Sequence, residues 1–319
     1  MNTATMNRGR EANSPKEIPS TGWKDTLYRV KDEIKHDKLS MISAAMAYYA
    51  LFAFVPALTA VVLIYAWVSD PAEIAGHIKS IASFIPKDMQ DMMNSQLGAL
   101  SSKASSTLGF GAISSLLIAL WSASKGSKAI MDALNIIYEE DDKRGFIRQN
   151  LLALGMTLLA AMLSILAIGV IVGVPAAAKL LHLPDSMEIL LTTSSWLILL
   201  TLFSFFLAFA YRFGPSREKA KWKWVSWGAV IAAVLWAIAS ALFSWYATKF
   251  GNFNKTYGSL GAVIVLMTWF YVSSFVILIG GEINAELEHQ TKKDTTEGQP
   301  KPLGGRGAKM ADTVGAAKA

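Results

Sequence analysis

Six runs of predominantly apolar residues, each about 20 residues or longer, constrain this chain more than any other feature. They are 39–68, 108–128, 146–174, 189–211, 225–247 and 258–281. An α-helix needs about 20 apolar residues to cross a hydrocarbon core roughly 30 Å thick, and only helices or closed barrels satisfy their backbone hydrogen bonds there. The runs therefore predict an all-α, polytopic membrane protein with six transmembrane helices. Hydrophobic residues make up 53% of the chain and charged residues 17%, which fits no ordinary soluble domain.

The flanking segments complete the layout. Residues 1–38 read as a cytoplasmic N-terminal arm, 39–289 as the six-helix domain and 290–319, rich in Lys, Gly, Pro and Thr, as a disordered cytoplasmic tail. In the arm, Trp23, Leu27, Val30 and Ile34 recur at helical spacing, as in a helix on the membrane surface or a solvated one. Ile74, Ile78, Ile81 and Ile85, then Met89, Met92 and Met93 after Pro86, predict two short amphipathic helices in the first external loop.

Of the 30 Lys and Arg residues, 24 fall in the arm, the second-to-third connection with its flanking turns, the fourth-to-fifth loop and the tail. That bias puts both termini in the cytoplasm of a six-span protein. The net charge of +6 is thus spent on topology, and no nucleic-acid partner is expected.

Chemistry is constrained mainly by exclusion. With no Cys, disulfides and thiolate sites are ruled out. Four His lie outside the apolar runs with no HxH, HExxH or HxxEH pattern, and no phosphate loop or GxSxG elbow is present. No catalytic residue, cofactor or metal site is expected. No span carries an ionisable residue near its midplane, which argues against a proton relay, although Na⁺ held by carbonyls and hydroxyls would escape this test.

One polar feature stands out within the spans. At about 100° per residue, Trp121, Lys125, Lys128 and Asp132 fall within an arc of about 60°, with Glu139 on the same side. Lys125 lies about 26 Å along its helix from Leu108, near the inner edge of the bilayer. Arg148 and Glu282 reach the same level. Two readings fit: lysines snorkelling to phosphates with Asp132 pairing Lys128, or a headgroup site of Lys125, Lys128, Asp132, Arg148 and Glu282 for an anionic lipid or another phosphate-bearing substrate. In the first span Pro56 predicts a kink or discontinuity at Ala53–Pro56, and Tyr48 and Tyr49 either pack between helices or line a cavity. Gly169 and Gly173 provide a GxxxG pattern for close helix contact.

Three stretches together resemble the YihY/BrkB family of bacterial inner-membrane proteins, once labelled ribonuclease BN. They are AAMAYYALFAFVPALTAVV at 44–62, WSASKGSKAIMDALNIIYE at 121–139 and YGSLGAVIVLMTWFYVSSFVILIGGEINAELEH at 257–289. The matching positions are Tyr48, Pro56, Lys125, Lys128, Asp132, Asn135, Gly258, Gly261, Gly281, Glu282 and Asn284. The resemblance implies six membrane helices and a transport role linked to envelope lipids. The expected function is a non-enzymatic transporter or export component whose partners are membrane lipids and, at the 70–107 loop, a periplasmic lipid-transfer protein. The alternatives are a channel between the first and sixth spans and a membrane scaffold.

Overall fold

The computed structural model describes residues 8–66, 110–181, 184–250 and 260–318. A surface helix, α1 (Ser20–His36), precedes six long helices: α2 (Leu39–Ala66), α3 (Phe110–Ile137), α4 (Phe146–Leu180), α5 (Asp185–Phe213), α6 (Trp222–Phe250) and α7 (Leu260–Gln290). A last short turn, α8 (Lys309–Asp312), lies in the tail. Extended pairing among the described residues is limited to one isolated bridge, Ala220 with Thr296. The fold is all-α.

Each long helix packs against the next in sequence, and α7 closes the ring against α2. Phe146–Ala178, Ile189–Phe213, Trp222–Lys249 and Val263–Gln290 are long and apolar enough to cross a membrane, and Leu39–Phe54 is a shorter apolar helix. In the first two of these, only 11% and 6% of the most apolar stretch is buried inside the protein. Leu151, Met162, Leu190, Leu197 and Phe205 accordingly point outward. An outside that is apolar on this scale belongs against hydrocarbon rather than water. The two external amphipathic helices expected at 70–107, and any partner contact there, lie outside the described residues.

The tightest helix contact joins α6 to α7. A Cβ on Gly228 would collide with the Gly280 carbonyl oxygen, and one on Gly280 would lie 2.5 Å from both Ala232 Cβ and Tyr211 Oη. The close approach lets polar groups bridge the seam. The Gly228 N–H donates to Asn284 Oδ1 at 2.7 Å and Asn284 Nδ2 donates to the Val225 carbonyl at 2.9 Å, while from α5 the Tyr211 hydroxyl donates to the Ile277 carbonyl of α7 at 2.6 Å.

Several sequence expectations give way to the structure. Helix α2 runs unbroken through Pro56, so the discontinuity is absent, and α4 continues past Pro175 to Leu180. Proline removes one intrahelical bond, but neighbouring helices in a membrane bundle and three following alanines sustain the helix. Gly169 and Gly173 make no helix contact among the described residues: an added Cβ on either would meet no atom of a neighbouring helix within 4 Å.

The tail from Gln290 is folded, contrary to its composition. Thr291, Thr295 and Ala311 are fully buried. Arg306 donates to the carbonyls of Lys292, Lys293, Lys301 and Ala311, while Asp312 accepts from the N–H groups of Gly304, Arg306 and Gly307. Polar side chains bonded to backbone supply the order that hydrophobic content could not.

Glycine contacts predict a clear contrast. Gly228→Leu should lower stability by about 3 kcal/mol or more, because the seam has no room for a side chain. Gly169→Leu should be nearly silent. Thermal unfolding of both variants in detergent would check this.

Candidate functional site

The expected cationic site begins on α3. Its inner face packs into the bundle: Met131, Leu134 and Ile137 are fully buried, and a Cβ on Gly126 would lie 3.1 Å from Ala53. The opposite face carries the charge. Trp121, Lys125 and Asp132 are exposed and Lys128 is partly so, which is the 60° stripe read from the sequence, directed outward. Ser127 and Thr157 hydroxyls, 2.8 Å apart and buried, join α3 to α4 beside it.

One hollow lies on the α3–α4 seam and another on the first turns of α4. The first, of about 340 Å³, is lined by Leu117, Ile118, Leu120, Trp121 and Leu154. The other, of about 540 Å³, is lined by Gly145, Phe146, Ile147, Arg148 and Leu151. The Lys128 ammonium stands 5.6 Å from the Phe146 ring centroid, within cation–π range and at the rim of the larger hollow. Lys125, Lys128 and Arg148 form no ion pair among the described residues. Lys128 acts on Asp132 through space without closing a salt bridge.

Glu282 does not belong to this group. It is fully buried, and the charges bearing on it are Asp37, Glu286, Glu33 and Glu139 rather than the lysines. Tyr48 and Tyr49 also stand apart. Among the described residues they are 50% and 47% exposed on α2, with Tyr48 packed on Phe52 at 4.7 Å.

The structure reveals a second polar region that the sequence reading missed. At one end of the bundle the arm, the α3–α4 turn, the α5–α6 loop and the tail gather around the polar extension of α7. These are the four basic segments, brought to a single face. Arg217 pairs bidentately with Glu288 at 2.7 and 2.9 Å, with neither side chain exposed, and its guanidinium lies 4.0 Å over the Tyr138 ring. Glu288 also accepts from Thr295 Oγ1 at 2.8 Å. Burial raises the Tyr138 phenol well above its ordinary range.

On the other side of α7, Arg29 pairs with Glu286 and donates to Gln290 Oε1 at 2.8 Å and to the Ala316 carbonyl at 3.0 Å. The signal was in GEINAELEH: residues 282 and 286 share a helix face, while 288 points about 160° away from 286, so two separate partners are required. In the α3–α4 turn, Arg144 grips Asp142 through two 2.8 Å bonds and donates to the Gly214 carbonyl at 2.8 Å. The hydrogen bonds from Arg144 hold the Asp142 carboxyl well below its ordinary range.

One other group has the chemistry of a metal site. The Glu33, His36 and Asp37 ligand atoms lie within 4.8 Å of one another at the end of α1.

Two outcomes test this region. Arg217→Ala should cost about 3–5 kcal/mol, since it strands a buried Glu288 charge, measured as loss of thermal stability in detergent. Asp142, with its folded pKa depressed, stabilises the fold above the ordinary Asp value of about 3.9 and loses that contribution as pH falls toward the folded value. The stability advantage of wild type over Asp142→Asn should therefore be present at pH 7 and shrink below pH 4.

Comparison with known proteins adds identity. The model of a family described as Virulence factor BrkB matches residues 30–303. A putative ribonuclease-like protein YfkH of Bacillus subtilis (strain 168) is 33% identical over 262 residues, covering 79% of this chain and 90% of its own. A UPF0761 membrane protein of Haemophilus influenzae (strain 86-028NP) is 24% identical over 259 residues, covering 79% and 91%. One from Vibrio vulnificus (strain YJ016) is 26% identical over 269 residues, covering 83% and 82%. No solved structure matches.

Proposed function

We propose that this chain, which belongs to the virulence factor BrkB family of membrane proteins, binds anionic lipid along its α3–α4 seam and works as a non-enzymatic transporter or export component for that lipid or a related phosphate-bearing envelope substrate. The reading places it in the bacterial inner membrane with both termini in the cytoplasm. The observation that carries it is the pairing of uncompensated cations with apolar hollows on one exposed seam. Arg148 lines the larger hollow, the Lys128 ammonium stands 5.6 Å from the ring of Phe146 in its wall, and Lys125 stands on the same α3 face as Trp121, which lines the smaller one.

A lipid presents the same two chemistries at the same depth. Its phosphate suits ammonium and guanidinium groups near the headgroup layer, and its acyl chains suit the hollows beneath. Cations that only anchor a helix need no apolar recess beside them. The gathering of the four basic segments at one end supports the orientation, because a positive end belongs on the cytoplasmic side. A pore between α2 and α7 draws less support: Ser40 and Tyr271 hydroxyls meet at 2.9 Å and the Phe54 and Phe270 rings at 5.6 Å along that seam.

Lysine and arginine removal separates binding from anchoring. The Lys125→Ala, Lys128→Ala, Arg148→Ala triple variant should retain at least tenfold less co-purified anionic lipid than wild type, measured by native mass spectrometry, while its thermal stability stays close to wild type. Equal lipid retention would remove the headgroup site.

A further inference from the structure

The wall formed by α5 and α6 carries a hollow of its own, of about 300 Å³. Ser204, Phe205 and Ala208 line it on α5, and Trp222, Ser226 and Val230 line it on α6. Ser204, Ala208 and Ser226 are too short to fill the space between two helices, while Phe205 and Val230 stand 48% and 53% exposed beside them. The hollow is apolar despite its serines: the Ser226 hydroxyl turns back to donate to the Trp222 carbonyl at 2.6 Å. Only 6% of the most apolar stretch of α5 is covered by protein, so hydrocarbon is the neighbour onto which the hollow opens.

Cations stand beyond the Trp222 end. The Arg212 guanidinium lies 4.7 Å over the Trp222 ring. Phe213 meets Trp222 edge-on with centroids 6.2 Å apart, and the Lys219 ammonium is 5.0 Å from the Phe213 centroid. The two cations differ in what they have left to give. Arg212 is buried and taken up by the Ala220 carbonyl and by Glu297. Lys219 is exposed and closes no ion pair among the described residues. Its backbone is held in place, because its carbonyl accepts from the Glu297 N–H at 2.8 Å and the next residue, Ala220, bridges to Thr296.

We infer that the α5–α6 groove binds one anionic phospholipid, with an acyl chain in the hollow and the phosphate at Lys219. An apolar recess that ends in aromatic rings and then an unpaired cation reproduces, in order, the chain, the interface and the headgroup of such a molecule. The ammonium selects the charge class: it attracts an anionic headgroup, whereas a choline headgroup brings a cation of its own toward Lys219. This site lies beyond the α3–α4 reading and shares no residue with it. One free cation stands here against three there, so the groove exchanges its lipid with the bilayer and retains little through purification.

The test therefore uses a bilayer. The chain has no Cys, so Val230→Cys places a single NBD fluorophore in the wall of the groove. It is made in the full-length Lys125→Ala, Lys128→Ala, Arg148→Ala background, which removes the other cations. The protein is reconstituted in phosphatidylcholine nanodiscs containing a fixed fraction of either phosphatidylglycerol or phosphatidylcholine with a doxyl-labelled, quenching acyl chain. Quenching should show at least a threefold preference for phosphatidylglycerol, and Lys219→Ala should bring that preference close to one. Ser226→Phe, which fills the hollow and leaves Lys219 in place, should lower quenching by phosphatidylglycerol at least twofold. The same fluorophore at Phe52→Cys, exposed on α2, should show no preference. Equal quenching by the two lipids at Val230, a preference that survives Lys219→Ala, quenching unaltered by Ser226→Phe, or an equal preference at Phe52 would each overturn the site. None of these results bears on lipid retention at the α3–α4 seam, so the two readings fail separately.

Discussion

The structure depends on the polar end of α7. An apolar helix that continues for two more turns as GEINAELEHQ brings three carboxylates into a packed interior, and each must be met by opposite charge or lose its proton-free form. Because successive residues advance 100° around the helix, the carboxylates face different ways and recruit different segments. Glu286 takes Arg29 from the arm, and Glu288 takes Arg217 from the α5–α6 loop and Thr295 from the tail. The polar end of α7 thereby becomes a post around which the arm, the loop and the tail are assembled. Buried ion pairs of this kind add little net stability but penalise any arrangement that omits a partner, so they specify the assembly more than they strengthen it.

Most of the bundle was legible because apolar length is so demanding a signal in a membrane protein. Six runs became six long helices, and the exit of the last as GEINAELEH was readable from charge alone. Local rules were weaker guides. Pro56 was expected to kink or interrupt its helix and Pro175 to end one, yet both helices continue past them, because a single missing hydrogen bond is small against a helix whose alternative is an unpaired backbone in lipid. Gly169 and Gly173 had the spacing of a helix contact and make none among the described residues, whereas Gly228 and Gly280, on different helices, leave no room for a Cβ on either. A contact between two helices cannot be read from spacing on one of them. The tail misled for a related reason: its order comes from Arg306, Asp294 and Asp312 bonding to backbone, a pattern that composition does not register.

The candidate site shows the same division between depth and direction. Counting residues placed Lys125, Lys128, Arg148 and Glu282 at one depth, and on depth alone they form a cluster. Direction separates them. Lys125 and Arg148 look outward across the α3–α4 seam, whereas Glu282 is buried on the side of α7 that faces α1. Depth follows from 1.5 Å per residue and needs only the sequence, but direction follows from which helix is the neighbour, and that is decided by the closure of the ring.

The element between the two charged regions is α3. Its outward face carries the lysines, while its inward face supplies Leu134 and Ile137, which lie 3.1 and 3.4 Å from where a Cβ on Gly281 would be. Gly281 immediately precedes Glu282. A shift of α3 toward α7 at this level therefore has no slack to absorb it, because glycine leaves room for those two side chains and nothing more. Rigid packing thus joins an outward-facing cationic surface to an inward-facing acidic one across the width of a single helix, and the small residue at 281 is what permits that junction.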